Sequence, residues 1–124
     1  MQEDKHVILL IDDDRDFLLG IRTLLESAGY TVAEATTAAE GLSVFKEVAP
    51  DLVIVDLMME EVDSGAMLVQ ELKAVRSDVP IYMYSVVGDN LSVTIDPVSL
   101  GLEGVLQKPM QNERLLEIIA TRLG

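Results

Sequence analysis

The 124-residue chain contains no cysteine and no tryptophan. The first absence excludes a disulfide framework, a thiolate zinc site and a cysteine nucleophile. The second removes indole fluorescence as a probe of binding. Basic residues are also scarce: nine Lys and Arg face 22 Asp and Glu, for a formal net charge of -13. The nine are scattered singly, which argues against contact with nucleic acid or an anionic membrane surface, both of which need clustered cations. No apolar run approaches the roughly 18 residues of a membrane helix, because Val7–Ile11 is ended by Asp12 and residues 52–55 by Asp56. Residues 1–6 lack the basic start and small-residue cleavage site of a secretory signal.

What is present is a substantial apolar fraction, 49% of the chain, enough for the core of one domain spanning residues 1–124. Its pattern is an alternation. Residues 7–11 form a strand-length apolar run, after which Phe17, Ile21, Leu24, Leu25 and Ala28 recur at helical spacing until Gly29. Residues 30–35 read as a second strand, and a second helix from Thr36 carries Leu42, Phe45 and Val48 up to Pro50. A third strand covers residues 52–55, and Ser64 caps a third helix carrying Leu68, Leu72 and Val75. Pro80 introduces a fourth strand through Tyr84, residues 104–107 a fifth, and Leu115, Ile118 and Ile119 mark a last helix. Between strands four and five, Leu91, Ile95, Val98 and Leu102 suit a helix that Pro97 and neighbouring β-branched residues shorten or kink. Strands apolar throughout, separated by amphipathic helices, imply an α/β doubly wound domain with a five-stranded parallel sheet.

Ligands of such sheets bind beyond the carboxyl ends of the strands, where strand order reverses. Asp12, Asp13 and Asp14 follow strand one, Asp56 strand three, Ser85 strand four and Lys108 strand five. Neighbouring carboxylates repel unless a cation intervenes, and hard oxygen ligands at a hydrated site suit Mg²⁺. Asp12, Asp13 and Asp56 are therefore the candidate Mg²⁺ ligands, whereas Asp14 is read as a helix cap. A calcium-loop reading of residues 12–23 fails, since Phe17 stands where that loop needs Gly and Thr23 where it needs Glu. His6 precedes strand one, away from this edge, and is read as a surface residue.

Four segments together, residues 8–14 (ILLIDDD), residues 51–59 (DLVIVDLMM), Ser85, and residues 104–109 (GVLQKP), resemble the receiver domain of two-component response regulators. The similarity runs over essentially the whole chain in the family's order. It implies a flavodoxin-like fold with sheet order 2-1-3-4-5. It also implies phosphorylation of Asp56 by a histidine kinase or a histidine phosphotransfer protein, in a Mg²⁺-dependent reaction of a cytoplasmic signalling protein that catalyses only its own phosphorylation and dephosphorylation. By the same resemblance, Asp12, Asp13, Asp56 and the backbone carbonyl of Met58 hold the metal. Lys108 binds the phosphoryl oxygens, Ser85 donates its hydroxyl to the attached group, and Lys108 and Pro109 match the family's cis peptide.

The chain departs from the family's pattern at Glu60, where proline is common, at Ser64, where glycine is common, and at Val105, where an aromatic residue usually reports activation. These departures keep a second reading open, a degenerate receiver serving only protein interaction. A third, a phosphatase of the haloacid dehalogenase type, is disfavoured because residues 12–16 lack the Thr or Val of its nucleophile motif. Because Val105 is too small to report activation as the family's aromatic does, the response is expected in residues 85–101, whose Pro97-containing segment has poor helix propensity. Output is expected on the face made by the fourth helix, fifth strand and fifth helix. A downstream protein would bind there, whether the chain acts alone or within a longer regulator.

Overall fold

The structure, a computed structural model, describes residues 6–56, 64–76, 78–86, 104–108 and 112–123. Its strands are β1 (Val7–Ile11), β2 (Thr31–Ala35), β3 (Leu52–Asp56), β4 (Ile81–Val86) and β5 (Gly104–Lys108). Three helices, α1 (Arg15–Ser27), α2 (Ala38–Val48) and α3 (Ser64–Val75), are joined by a C-terminal helix, Asn112–Leu123. The helix expected between strands four and five, Met58, Glu60, Pro109 and the segment after Val86 lie outside the described residues.

All strand pairs are parallel, in the order β2-β1-β3-β4-β5. This is the expected flavodoxin-like order. Because successive side chains of a strand face opposite ways, each apolar run feeds two cores. Leu9, Ile11, Val53, Val55, Ile81 and Met83 pack with Phe45 of α2 and Leu68 and Leu72 of α3. Ile8, Leu10, Leu52, Ile54 and Tyr82 pack on the other face with Leu18 and Leu25 of α1 and Leu115 and Ile119 of the C-terminal helix. Helices therefore cover both faces, and continuous rather than alternating apolarity is the physical consequence.

Local signals set most of the element ends. Asp14 caps α1, its side chain accepting from the amides of Asp16 (3.1 Å) and Phe17 (3.2 Å). Gly29 then takes φ +99°, which favours glycine. Thr37 caps α2, so that helix begins two residues later than Thr36, and it closes through Ala49 at φ 47° before Pro50. Leu18 replaces Ala28 on the buried face of α1, with Ala28 serving instead as the exposed C-cap. Val75, expected in the core, is 42% exposed. Val69 is fully buried beside Leu68 and Leu72, which shifts the centre of the buried face and turns the last residue of α3 toward the rim.

Gly20, in the middle of α1, is exposed, and a Cβ added there meets nothing within 4 Å. Gly20→Ala is therefore expected to raise stability by about 1 kcal/mol, the helix-propensity difference between the two residues. Chemical denaturation followed by circular dichroism measures it, and a loss of stability would show that the open face of α1 is occupied.

Candidate functional site

The polar residues singled out from the sequence converge on the carboxyl ends of four strands. β1 pairs on one side with β2 and on the other with β3. The chain leaves β1 toward β2 and returns to the other side at β3, so the strand order reverses at β1. The ladder pairs Ile11 with Val55, which sets Asp12 beside Asp56 as the next row. Asp56 is the last residue of β3 and pairs with Tyr84. Ser85 pairs with Gln107 and Val86 with Lys108. Ser85 thus stands one residue, and Lys108 two residues, beyond the level of Asp56.

Three placements differ from expectation, the first being Asp56, which is the last residue of β3 rather than the first after it. Ser85 lies within β4, which runs on to Val86, and Lys108 is the last residue of β5 rather than the first after it. A strand ends where its ladder pairing stops, and polarity alone does not end it, so β3, β4 and β5 each run through polar residues, Asp56, Ser85, and Gln107 with Lys108, respectively.

The β1 end is built in detail. Asp12 is 2% exposed, the sole buried polar or charged side chain among the described residues. Its amide donates to the Ala35 carbonyl (3.0 Å), and its Oδ1 accepts from the Asp14 amide at 2.9 Å. Burying a carboxylate is costly unless it is paired, hydrogen-bonded or coordinates a cation. Asp13, the neighbouring residue, is exposed. At the opposite edge of the sheet the Val7 amide donates to Asp51 Oδ2 (2.7 Å), and half-exposed His6 lies 3.7 Å from the same oxygen. His6 therefore stands apart from the carboxyl ends of the strands, as expected.

One group at this edge escaped the sequence reading. Glu40, in the first turn of α2, accepts from the Thr36 amide (2.8 Å) and the Thr36 hydroxyl (3.1 Å). Its own amide donates to Thr37 Oγ1 at 3.0 Å. The signal was there: Thr37 followed three residues later by Glu40 is a capping-box pattern. The Thr36 amide and then its hydroxyl hold the Glu40 carboxyl below the usual range, with a smaller contribution from the charge of Arg15. A carboxyl with a lowered folded pKa stabilises the protein above its unfolded pKa, and this is lost as pH falls through the folded value. The stability advantage of the wild type over Glu40→Gln is accordingly expected at neutral pH and to vanish on acidification below the ordinary glutamate range. Denaturation at a series of pH values checks this, and a difference independent of pH would contradict the bond.

This geometry, a doubly wound parallel sheet with acids at its switch point, defines the class, and similarity to known proteins places the chain within it. The model of the response regulator receiver domain matches residues 8–120. The chain is 36% identical over 120 residues to the chemotaxis protein CheY of Bacillus subtilis, covering 96% of this chain and 98% of that protein. It is 39% identical over 115 residues to the probable transcriptional regulator ycf27 of Porphyridium aerugineum, covering 93% of this chain but 46% of that one. The crystal structure of a CheY-like receiver domain protein from Methanospirillum hungatei superposes with a TM-score of 0.87 at 27% identity, over 97% of this chain and 94% of that one. The chain belongs to the response regulator receiver domain family. It is a phosphoacceptor module of two-component signalling, a signalling module rather than a classical enzyme, and the dehalogenase-type alternative falls away. Receiver domains generally use Mg²⁺ for phosphorylation and interact with kinases and downstream effectors. Among the described residues no helix is long and apolar enough to cross a membrane.

Proposed function

We propose that Asp56 is the phosphoacceptor. The observation that carries this reading is the row at the switch point: Asp56 ends the central strand β3, level with buried Asp12 just past β1, with Ser85 and Lys108 stepping outward on β4 and β5. A carboxylate oxygen of Asp56 attacks the phosphorus of a phosphohistidine in line. The O–P bond forms, the P–N bond breaks, and the leaving imidazole nitrogen keeps the electron pair and takes up a proton. The donor is a histidine kinase or a histidine phosphotransfer protein.

The donor set fits a hard divalent cation, because the β1 end supplies a buried carboxylate, Asp12, with an exposed one, Asp13, next to it. Asp12, Asp13, Asp56 and the Met58 carbonyl would hold Mg²⁺, which when bound neutralises charge developing on the transferred phosphoryl group. Lys108 balances a further phosphoryl oxygen. Its backbone lies two strands and two residues from Asp56, on the order of 12 Å from strand spacing and rise, a span that a lysine and an acyl phosphate together bridge. The Ser85 hydroxyl donates to the attached group.

Phosphorylation adds about two negative charges at this edge. A downstream protein reads the change on the face of the fourth helix, fifth strand and fifth helix. On the fifth of these helices, the C-terminal helix of the fold, Arg114, Ile118 and Arg122 line a groove with Tyr82 of β4, which suits this role. The setting is cytoplasmic, in keeping with a kinase as donor.

Location of the phosphoryl group tests the proposal. After acetyl phosphate treatment, borohydride reduction should convert Asp56, and no other acid, to homoserine in the peptide map. Conversion at Asp12 or Asp13 instead would overturn the assignment.

A further inference from the structure

The cation site proposed above depends on where Asp12 is held, and the β2–α2 turn reaches both the Asp12 amide and the preceding residue, Ile11. The Asp12 amide donates to the carbonyl of Ala35, the last residue of β2. The next residue, Thr36, is tied by its amide (2.8 Å) and hydroxyl (3.1 Å) to one oxygen of Glu40. On the β1 side, the backbone of Gly41 packs onto Ile11, the residue before Asp12. A Cβ at Gly41 would lie 2.7 Å from Ile11 Cδ1 and 3.1 Å from Cγ2. The same turn is closed by the Gly41 amide on the Thr37 carbonyl at 2.8 Å.

A helix cap alone does not require this arrangement. Thr37 already caps α2 by accepting from the Glu40 amide. In a capping box the glutamate reaches back to the amide of the capping residue itself. Here Glu40 reaches one residue further, to Thr36, which continues directly from the carbonyl that holds Asp12. The carboxylate therefore braces the end of β2 as well as the helix.

We propose that Glu40 is a positioning residue for the cation site: it braces the β2 end so that the Ala35 carbonyl holds the backbone of Asp12 in place for Mg²⁺. Glu40 touches neither the phosphoryl group nor the metal in this account. It acts through Thr36, Ala35 and Asp12. The inference rests on the reading of Asp12 as a Mg²⁺ ligand, and the test separates the two.

Four proteins are compared: wild type, Glu40→Ala, Glu40→Gln and Thr37→Ala. Mg²⁺ affinity is measured by calorimetry, and exchange of the Asp12 amide proton by NMR in metal-free protein. Loss of the amide and hydroxyl bonds from Thr36 in Glu40→Ala should weaken Mg²⁺ binding about fivefold and speed Asp12 exchange by a similar factor. Glu40→Gln keeps an acceptor for the Thr36 amide and should restore both quantities to within about twofold, the remainder being screened charge. Thr37→Ala should lower the melting temperature, since it removes the cap, while leaving both quantities near wild type. Wild-type affinity and exchange in Glu40→Ala would overturn the positioning role. So would a Glu40→Gln protein that falls as far as Glu40→Ala, which would point to charge alone. Equal losses in Thr37→Ala would reduce the effect to helix stability. A wild-type protein that binds no Mg²⁺ contradicts the cation site itself, and Asp12 exchange then still decides whether Glu40 braces that residue.

Discussion

Asp56→Asn is expected to abolish phosphoryl incorporation from acetyl phosphate while leaving the protein folded. The carboxylate is the nucleophile, and its replacement by an amide of the same shape removes the charge and nucleophilicity that form the acyl phosphate. Asp56 closes β3 at the end of the ladder with β4, and the backbone pairing does not depend on the charge. The substitution also removes one of the carboxylates gathered at the switch point, so stability without Mg²⁺ should not fall and should rise if repulsion there is appreciable. Incorporation and thermal melting measured on one preparation separate the two effects. Incorporation that persists in Asp56→Asn would move the phosphoacceptor to another residue.

The second large effect is structural. Phe45 of α2 is fully buried against the sheet face that carries Leu9, Ile11, Val53 and Val55. Truncation to alanine removes the apolar transfer energy of the ring and leaves a cavity, and such changes cost about 3–5 kcal/mol. Domains of this kind are stable by only about 5–15 kcal/mol, so Phe45→Ala should unfold at far lower denaturant or fail to accumulate. Urea denaturation followed by far-ultraviolet circular dichroism measures the loss, tryptophan being absent from the chain. A cost below about 1 kcal/mol would show that the α2 face repacks freely. Phe45 also lies in the same helix as Glu40 and Gly41, so loosening its seat should reach the β1 end as well.

The parallel sheet and the element sequence were legible because runs such as 7–11 and 52–55 are apolar at every position, which strands buried on both faces require, whereas the strand order was legible only through the resemblance to receiver domains. Helical spacing fixed the covering helices for the same reason. It failed where a face had to be centred: Val69 and Leu18 turn out buried, whereas Val75 and Ala28 do not. Periodicity defines a stripe, but how far along the helix the sheet extends is a tertiary fact. Strand ends differ at Asp56, Ser85 and Lys108 because the pairing of β3 with β4 and of β4 with β5 continues through polar residues.

In the site, the acids stood out because several of them follow apolar runs at the carboxyl ends of strands, where ligands of such sheets bind. Asp14 proved to be the cap, as its place before the first helical residues indicated. The brace formed by Thr36 and Glu40 was harder to see. Its threonine-to-glutamate spacing reads as ordinary helix capping, and nothing in the linear chain shows that Ala35 lies beside Asp12. That proximity arises from the β1–β2 register, a long-range pairing that periodicity does not encode.

The most direct test of the central claim is the intact mass of the protein after incubation with acetyl phosphate, with and without Mg²⁺. The expected result is the addition of one phosphoryl group in the presence of Mg²⁺, little without it, and its removal by hydroxylamine as an acyl phosphate requires. An unchanged mass with Mg²⁺ present, in protein shown to be folded, would contradict the phosphoacceptor reading and leave the chain as a receiver fold used for protein interaction alone.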